Sequence, residues 1–364
     1  MAQDSKAGSA GAVLTIDLAS IVANWRLLCA RHPAGAVVKA DAYGLGAIPV
    51  VEALRDAGCR QFFVATAEEA FAVRETIPDA DLIVLGGAMP GIEQDLAAGG
   101  IIPALGSLAE IASWSALASR LERALPAAIH FDTGMSRLGL SERELDILAA
   151  DPARLQGIGV RWIMSHLVSA EIAGAAVNVT QRDRFNSGRK RLPRAPASLV
   201  NSAGIFLDDS FRFDLARPGS ALFGINPTPE RRNPMRPVLT LLAPVQAVRD
   251  IPAGATVGYG ATWTAARASR IATIGVGYAD GWHRAHSNLG RAFFDGTPVP
   301  LVGRVSMDLT TFDVTDVPAI QPGAWLELLG PHQTVDDAAR SAGTIGYEIL
   351  TALGRRYRRV YREA

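Results

Sequence analysis

Only three lysines, Lys6, Lys39 and Lys190, stand among the 36 basic residues of the chain; the rest are arginine. Chemistry that needs a free amine therefore has three candidates. Lys39 lies in Val37-Val38-Lys39-Ala40-Asp41-Ala42-Tyr43-Gly44, at the end of an apolar run. Lysine is rarely buried without a partner. Either its stem lies along an apolar rim with the amine in water, or burial lowers its pKa and leaves a nucleophile able to form a Schiff base. Lys6 falls in a small, polar N-terminal stretch. Lys190 falls in the arginine-rich run 187–191, which reads as solvated charge.

Glycines and hydroxyls recur at two later points, Asn201-Ser202-Ala203-Gly204 and Arg217-Pro218-Gly219-Ser220. Freed backbone N–H groups beside a serine hydroxyl can cradle a phosphate, although such turns are common. His166 follows Trp162-Ile163-Met164-Ser165 at another strand end, where a histidine is more often structural than reactive. Of the six histidines only His283 and His286 are closely spaced, with no third metal ligand in view. Val257-Gly258-Tyr259-Gly260-Ala261-Thr262 and Gly277-Tyr278-Ala279-Asp280-Gly281 set tyrosines among glycines. Tight hairpin chemistry and a tyrosine free to meet a ligand both fit that pattern.

The elements that must position these residues alternate. Short apolar runs at 13–16, 36–40, 62–65, 82–85, 101–105, 127–131, 160–165 and 198–201 read as strands. Amphipathic stretches separate them: Asp17 can cap a helix with the stripe Ile21, Trp25 and Leu28, and Thr66 can cap another. Near-continuous apolar strands between helices indicate a parallel sheet covered on both faces. The eight-fold alternation predicts a (β/α)8 TIM-like barrel. A doubly wound sheet competes, but no GxGxxG turn follows the first strands. Past a proline-rich joint near Pro227, β-branched strands and glycine turns dominate, at 238–248, 270–276, 292–294, 301–305, 310–314 and 325–328, with a short helix at 347–353. The expected organisation is a flexible tail over 1–12, a barrel over 13–230 carrying Lys39, and a C-terminal mostly-β domain over 231–364.

Composition bounds the function. At 364 residues the chain suits about two domains. With 49% hydrophobic residues it can build a core, which excludes wholesale disorder. Its 36 acidic residues balance the 36 basic ones, so nothing points to nucleic acid or a membrane surface. Cys29 and Cys59 lack CxxC spacing and read as buried free thiols of a reducing compartment. No secretory h-region and no membrane-length apolar run is seen. A cytoplasmic enzyme is the expectation.

Taken in order, the motifs resemble those of the alanine racemases. The resemblance rests on Lys39-Ala-Asp-Ala-Tyr43-Gly, Asp132-Thr-Gly-Met-Ser-Arg137-Leu-Gly, Asn201-Ser202-Ala-Gly and Arg217-Pro-Gly219. It continues through Gly258-Tyr259-Gly-Ala-Thr-Trp, Gly277-Tyr-Ala-Asp-Gly281, Gly303-Arg-Val-Ser-Met307-Asp and Tyr347-Glu-Ile-Leu, ending at Arg359-Val-Tyr361. The resemblance implies a homodimer that interconverts L- and D-alanine with pyridoxal 5'-phosphate. Lys39 would hold the cofactor as an internal aldimine. Tyr43, Ser202, Tyr347 and the backbone at Gly219 and Ser220 would hold its phosphate. Arg217 would face the pyridine nitrogen, with His166 linking it to Tyr259, and Arg137 and the Met307 N–H would receive the substrate carboxylate. Lys39 and Tyr259 would be the two bases, Tyr259 reaching the other subunit's barrel. A tyrosine ordinarily ionises near pH ~10, so the site must help it, through His166 and Arg217.

The chain departs from the family pattern in places. His130 stands where many members carry a carbamylated lysine that orients the substrate arginine, so either a bound anion or another carboxylate steadies Arg137, or the arginine is looser and substrate affinity lower. Asp41 replaces a common asparagine, Leu45 a common histidine, and Glu171 an entryway aspartate. Two other readings of the resemblance exist: a barrel-type basic amino-acid decarboxylase and a non-catalytic pyridoxal-phosphate carrier. The first uses an acid opposite the pyridine nitrogen, where this chain has Arg217; the second lacks a β domain.

Overall fold

The computed structural model describes residues 11–363. The tail expected over 1–12 therefore lies, up to residue 10, outside the described residues. Two compact units are present: Ile21–Ala42 with Gly46–Met235, and 11–20 with 43–45 and 236–363.

The first unit is the barrel. Seven parallel strands pair in chain order: Ala36–Val37, Gln61–Val64, Asp81–Val84, Ile102–Leu105, Leu125–His130, Ile158–Met164 and Ala197–Ser198. An eighth segment closes the ring through the parallel bridges Asn201↔Arg217 and Ala34↔Ala216. There Arg217 N–H donates to Val200 O at 3.0 Å and Val37 N–H to Pro218 O at 2.9 Å. Strands such as Phe62-Phe63-Val64 and Leu82-Ile83-Val84 are wholly buried, as a sheet covered on both faces requires. Thr66 caps its helix as expected, its hydroxyl accepting from Glu69 N–H; Ser107 likewise accepts from Glu110 N–H, and Ser141 forms a reciprocal capping box with Glu144.

One strand of the expected eight belongs elsewhere. Val13–Asp17 pairs antiparallel with Leu239–Ile251 and parallel with Arg358–Arg362, inside the second unit. The count of eight holds because Ala216–Pro218, unread in the sequence, takes its place. Asp17 still caps the following helix, accepting Ser20 N–H at 2.8 Å.

The second unit is built on the 13-residue strand Leu239–Ile251. Ser269–Ile274 and Trp325–Leu329 pair with it antiparallel. Arg291–Phe294 continues the sheet to Thr297–Pro300, an edge strand whose Pro298 and Pro300 lack N–H donors. The strand expected at 301–305 is instead an irregular loop containing Gly303 at φ +77°. The expected terminal helix is Gly346–Ala352.

Candidate active site

Lys39 follows the barrel strand Ala36–Val37 and opens a turn with an unusual backbone. Ala40, Asp41, Ala42 and Tyr43 all have φ between +53° and +56°, and Gly44 has φ +80°. Left-handed backbone costs about 1–2 kcal/mol for each L-residue and is normally confined to single positions. Four non-glycine residues in a row need support from outside. Within the barrel unit, Ala40 N–H donates to Glu69 Oε1 at 2.7 Å, and Glu69 Oε2 accepts Ala65 N–H at 2.7 Å. Ala42 N–H reaches Val38 O at 2.9 Å, and Ala47 N–H reaches Asp41 Oδ1 at 2.7 Å. Asp41 thus serves the first turn of the helix Ala47–Asp56, a place that favours negative charge.

Residues 43–45 belong to the second unit. Arg359 donates to Gly44 O at 2.6 Å, and the Tyr361 hydroxyl donates to Leu45 O at 3.0 Å. Gly44 has no room for a side chain, since a Cβ would lie 2.4 Å from Leu350 O. Leu45 is fully buried, so the position where the family commonly has histidine is filled here by core packing. Tyr43 packs 6.1 Å from Tyr347, centroid to centroid.

Lys39 itself is half-buried. Burial, and then the nearby Arg137 guanidinium, hold its amine below the usual lysine range, with Glu69 opposing. The free amine is therefore more accessible than in an ordinary lysine.

Arg217 is 4% exposed and has no carboxylate partner among the described residues. Its Nη1 donates to Ser198 O at 2.8 Å and Ser198 Oγ at 2.6 Å, and its Nη2 to Ser165 O at 2.5 Å. Burial lowers its pKa to about 10, which leaves it charged at neutral pH. Nη2 also meets His166 Nδ1 at 3.3 Å. Nε takes part in none of these bonds. Burial, and then Arg217, push His166 down to about 3, so the ring is neutral.

The two glycine–hydroxyl segments come together. Ser202 Oγ accepts the N–H groups of Gly219 at 3.0 Å and Ala221 at 3.2 Å, keeping its own proton for a further acceptor. Gly204 is packed so closely that a Cβ would lie 2.7 Å from the Val200 Cβ. The loop carrying Arg137 is organised by Asp132, whose carboxylate accepts N–H bonds from Gly134, Met135 and Ser136 at 2.8–3.0 Å. Arg137 is exposed, and no carboxylate pairs with it among the described residues. His130 is half-buried and stands in register with Met164 of the neighbouring strand. Its pKa is lowered to about 4, first by burial and then by Arg217, so it supplies no charge of either sign.

In the second unit Tyr259 stands between Gly258 at φ +75° and Gly260 at φ +73°, and is 71% exposed. Met307 is exposed too, and its peptide N–H donates to no acceptor among the described residues. Lys39, Arg137, His130, His166 and Arg217 thus share one electrostatic neighbourhood in the barrel, while Tyr43, Tyr259, Met307 and Tyr347 belong to the other unit. Sequence reasoning missed Glu69, read only as part of a helix start, and Gln181, which donates to His166 O at 2.9 Å. No group of three or more metal-ligating side chains occurs among the described residues, and none of their helices is long and apolar enough to cross a membrane.

The sequence matches the family description "Alanine racemase, N-terminal domain" over residues 16–227 and "Alanine racemase, C-terminal domain" over residues 238–361. It is 53% identical to the alanine racemase of Acidiphilium cryptum, over 95% of this chain and 98% of that one. It is 50% identical to that of Brucella abortus, over 99% and 96%. Among solved structures it superposes on alanine racemase from Bartonella henselae with covalently bound pyridoxal phosphate, with TM-score 0.94, 42% identity and 97% and 100% of the two chains covered. It likewise superposes on the biosynthetic alanine racemase of Pseudomonas aeruginosa, with TM-score 0.90, 33% identity and 97% and 99% covered. The matched families and relatives place the chain in a class, the amino-acid racemases. Within that class the chain belongs to the alanine racemase family.

Proposed function

We propose that the chain interconverts L- and D-alanine, with pyridoxal 5'-phosphate joined to Lys39 and two bases, Lys39 and Tyr259, on opposite faces. The observation that carries this reading is Arg217, a buried cation satisfied only by neutral acceptors. Burying a charge without a counter-charge is expensive, so a ligand that needs a permanent donor accounts for it. The unused Nε suits a pyridine nitrogen, and Ser202 with the backbone at Gly219 and Ser220 suits a phosphate, with Tyr43 and Tyr347 as further ligands. When bound, the cofactor supplies an electron sink that acidifies the α-C–H of the attached amino acid.

The protein's own residues supply the rest. Lys39, its amine held below the ordinary range, takes or returns the proton on the D face. Tyr259 does so on the L face. Arg217 can only donate, so His166 Nδ1 must accept from it. That assigns the His166 proton to Nε2, which makes the ring a donor toward a tyrosine oxygen and favours the ionised phenol. Arg137 and the Met307 N–H receive the substrate carboxylate. An arginine at the ring nitrogen also argues against the decarboxylase reading, and the presence of the β unit argues against a carrier.

We take residues 13–230 as the segment that carries the cofactor lysine and 231–364 as the one that supplies the second base. The exposure of Tyr259 and Met307 supports a homodimer in which these residues serve the partner's site. Two unpaired cysteines support a cytoplasmic enzyme, supplying D-alanine for peptidoglycan or consuming it. Lys39→Ala tests the reading: it should lose racemisation and the covalent cofactor absorbance together. Retention of either at wild-type level overturns the Lys39 assignment.

A further inference from the structure

The loop that carries Met307 is held by a second loop, and both lie in the β unit. Tyr278 N–H donates to Ser306 O at 3.0 Å, and Ala279 N–H donates to Met307 O at 2.9 Å. In a trans peptide the C=O and N–H point in opposite directions. The bond to Ser306 O therefore aims the Met307 N–H away from Tyr278. The approach is so close that Gly277 tolerates no side chain: a Cβ would lie 2.3 Å from Ser306 O and 2.4 Å from Met307 O. Ser306 closes its own turn, its N–H donating to Leu309 O at 3.0 Å.

One side chain joins the two loops. Arg356 Nε meets Asp280 Oδ1 at 3.0 Å, and its Nη1 meets Asp308 Oδ1 at 2.7 Å. The Asp280 side chain is almost fully buried, and its Oδ2 accepts Gly277 N–H at 2.9 Å. Arg356 is half exposed. The half-exposed pair with Asp308 contributes little to stability, so stability is a poor account of that arm. A planar fork spanning two carboxylates fixes geometry instead. The carboxylates sit on the residue after Met307 and on the turn that grips it.

We propose that Arg356 is a positioning residue for substrate recognition: by tying Asp308 to Asp280 it fixes the direction of the Met307 peptide N–H, and with it the affinity for the substrate carboxylate. This rests on the reading that the Met307 N–H receives that carboxylate. The site's handle on the carboxylate is then set by a residue that touches neither substrate nor cofactor. Lysine carries its three donors on one nitrogen and lacks the planar fork, so it should substitute poorly.

The test uses cofactor-loaded full-length enzyme and propionate, the carbon skeleton of alanine without its amine. Propionate Kd by calorimetry, KM and kcat in both directions, and thermal midpoints would be compared for wild type, Arg356→Gln, Arg356→Lys, Asp308→Asn and the double variant Arg356→Gln/Asp308→Asn. Propionate Kd and alanine KM should rise roughly five- to tenfold with kcat within about twofold, and the thermal midpoint of Asp308→Asn, which breaks only the exposed arm, should stay within about 2 °C. The double variant should lose no more than Arg356→Gln alone, because both act through one link. Unchanged propionate affinity in Arg356→Gln, a loss confined to kcat, or additive losses would overturn the proposal. Met307→Pro, which deletes the N–H, keeps the two claims apart. If it binds propionate as wild type does, the carboxylate reading fails and the proposal with it. If it loses propionate while Arg356→Gln does not, only the positioning role fails.

Discussion

Arg217 Nη2 lies 3.3 Å from His166 Nδ1, and this one contact fixes the proton of the histidine. The guanidinium has no lone pair to offer, so Nδ1 accepts and Nε2 carries the hydrogen. A neutral histidine with a defined tautomer then becomes a donor aimed at its next neighbour.

Tyr259→Phe follows directly. Removing the phenol oxygen should lower racemisation by roughly 10²–10⁴, the usual worth of one acid–base group, while the cofactor stays bound because Lys39 and Ser202 are untouched. Absorbance spectra and steady-state rates check this. Loss of cofactor absorbance in Tyr259→Phe would show that the residue holds the cofactor rather than the proton.

Histidines held below their ordinary range make stability depend on pH, and burial lowers His32 as well. His130, His166 and His286 are lowered from 6.5 to about 4, 3 and 4, in each case chiefly by burial. Unfolded histidines take up protons near pH ~6.5, whereas these do not until far lower. The unfolded chain therefore binds more protons, and stability present above pH ~6.5 is lost as the pH falls toward 4, by at most roughly 1.4 kcal/mol per pH unit for each histidine. Urea midpoints at pH 7.5 and pH 5 should differ clearly. Equal midpoints would contradict the burial of these rings.

Glu69 supports the left-handed turn after Lys39 from two sides. Glu69→Ala leaves the N–H groups of exposed Ala40 and part-buried Ala65 without their acceptor, at a cost of about 1–3 kcal/mol at most for the part-buried group. Cofactor affinity should fall along with stability, because the strained backbone relaxes next to Lys39. Denaturant titration and cofactor dissociation measured together decide the point; a variant that loses stability and keeps wild-type cofactor affinity would separate Glu69 from the site.

Arg137 has basic neighbours in Lys39 and His166 and no carboxylate partner among the described residues. With no carboxylate in place among the described residues, either a small bound anion steadies it or the arginine is looser. Chloride added at constant ionic strength, balanced by a bulky sulfonate, should lower KM for alanine severalfold and leave kcat unchanged. KM that is flat or rises with chloride would mean that Arg137 works unaided.

The barrel was legible because parallel strands buried on both faces leave continuous apolar runs, as Phe62-Phe63-Val64 does. The same rule misplaced Val13–Asp17, whose equally apolar run is buried in the β unit. It also missed Ala216–Arg217–Pro218, a strand of two bridges that contains a cation and a proline. Lys39 stood out through the scarcity of lysine, but the backbone around it did not. Ala40 to Tyr43 carry no glycine, and contacts from distant residues such as Glu69, Arg359 and Tyr361 help hold the turn left-handed. The link from Arg356 to Asp280 and Asp308 is a matter of folding distant segments together, and no local pattern announces it.

The central claim is that this site moves the α-proton of alanine on both faces. The direct measurement incubates cofactor-loaded enzyme with L-alanine in D2O, follows Cα–H by NMR and resolves the product enantiomers. Deuterium should enter at Cα as D-alanine forms, with both enantiomers reaching equal amounts. Cofactor absorbance without exchange or D-alanine would contradict the account.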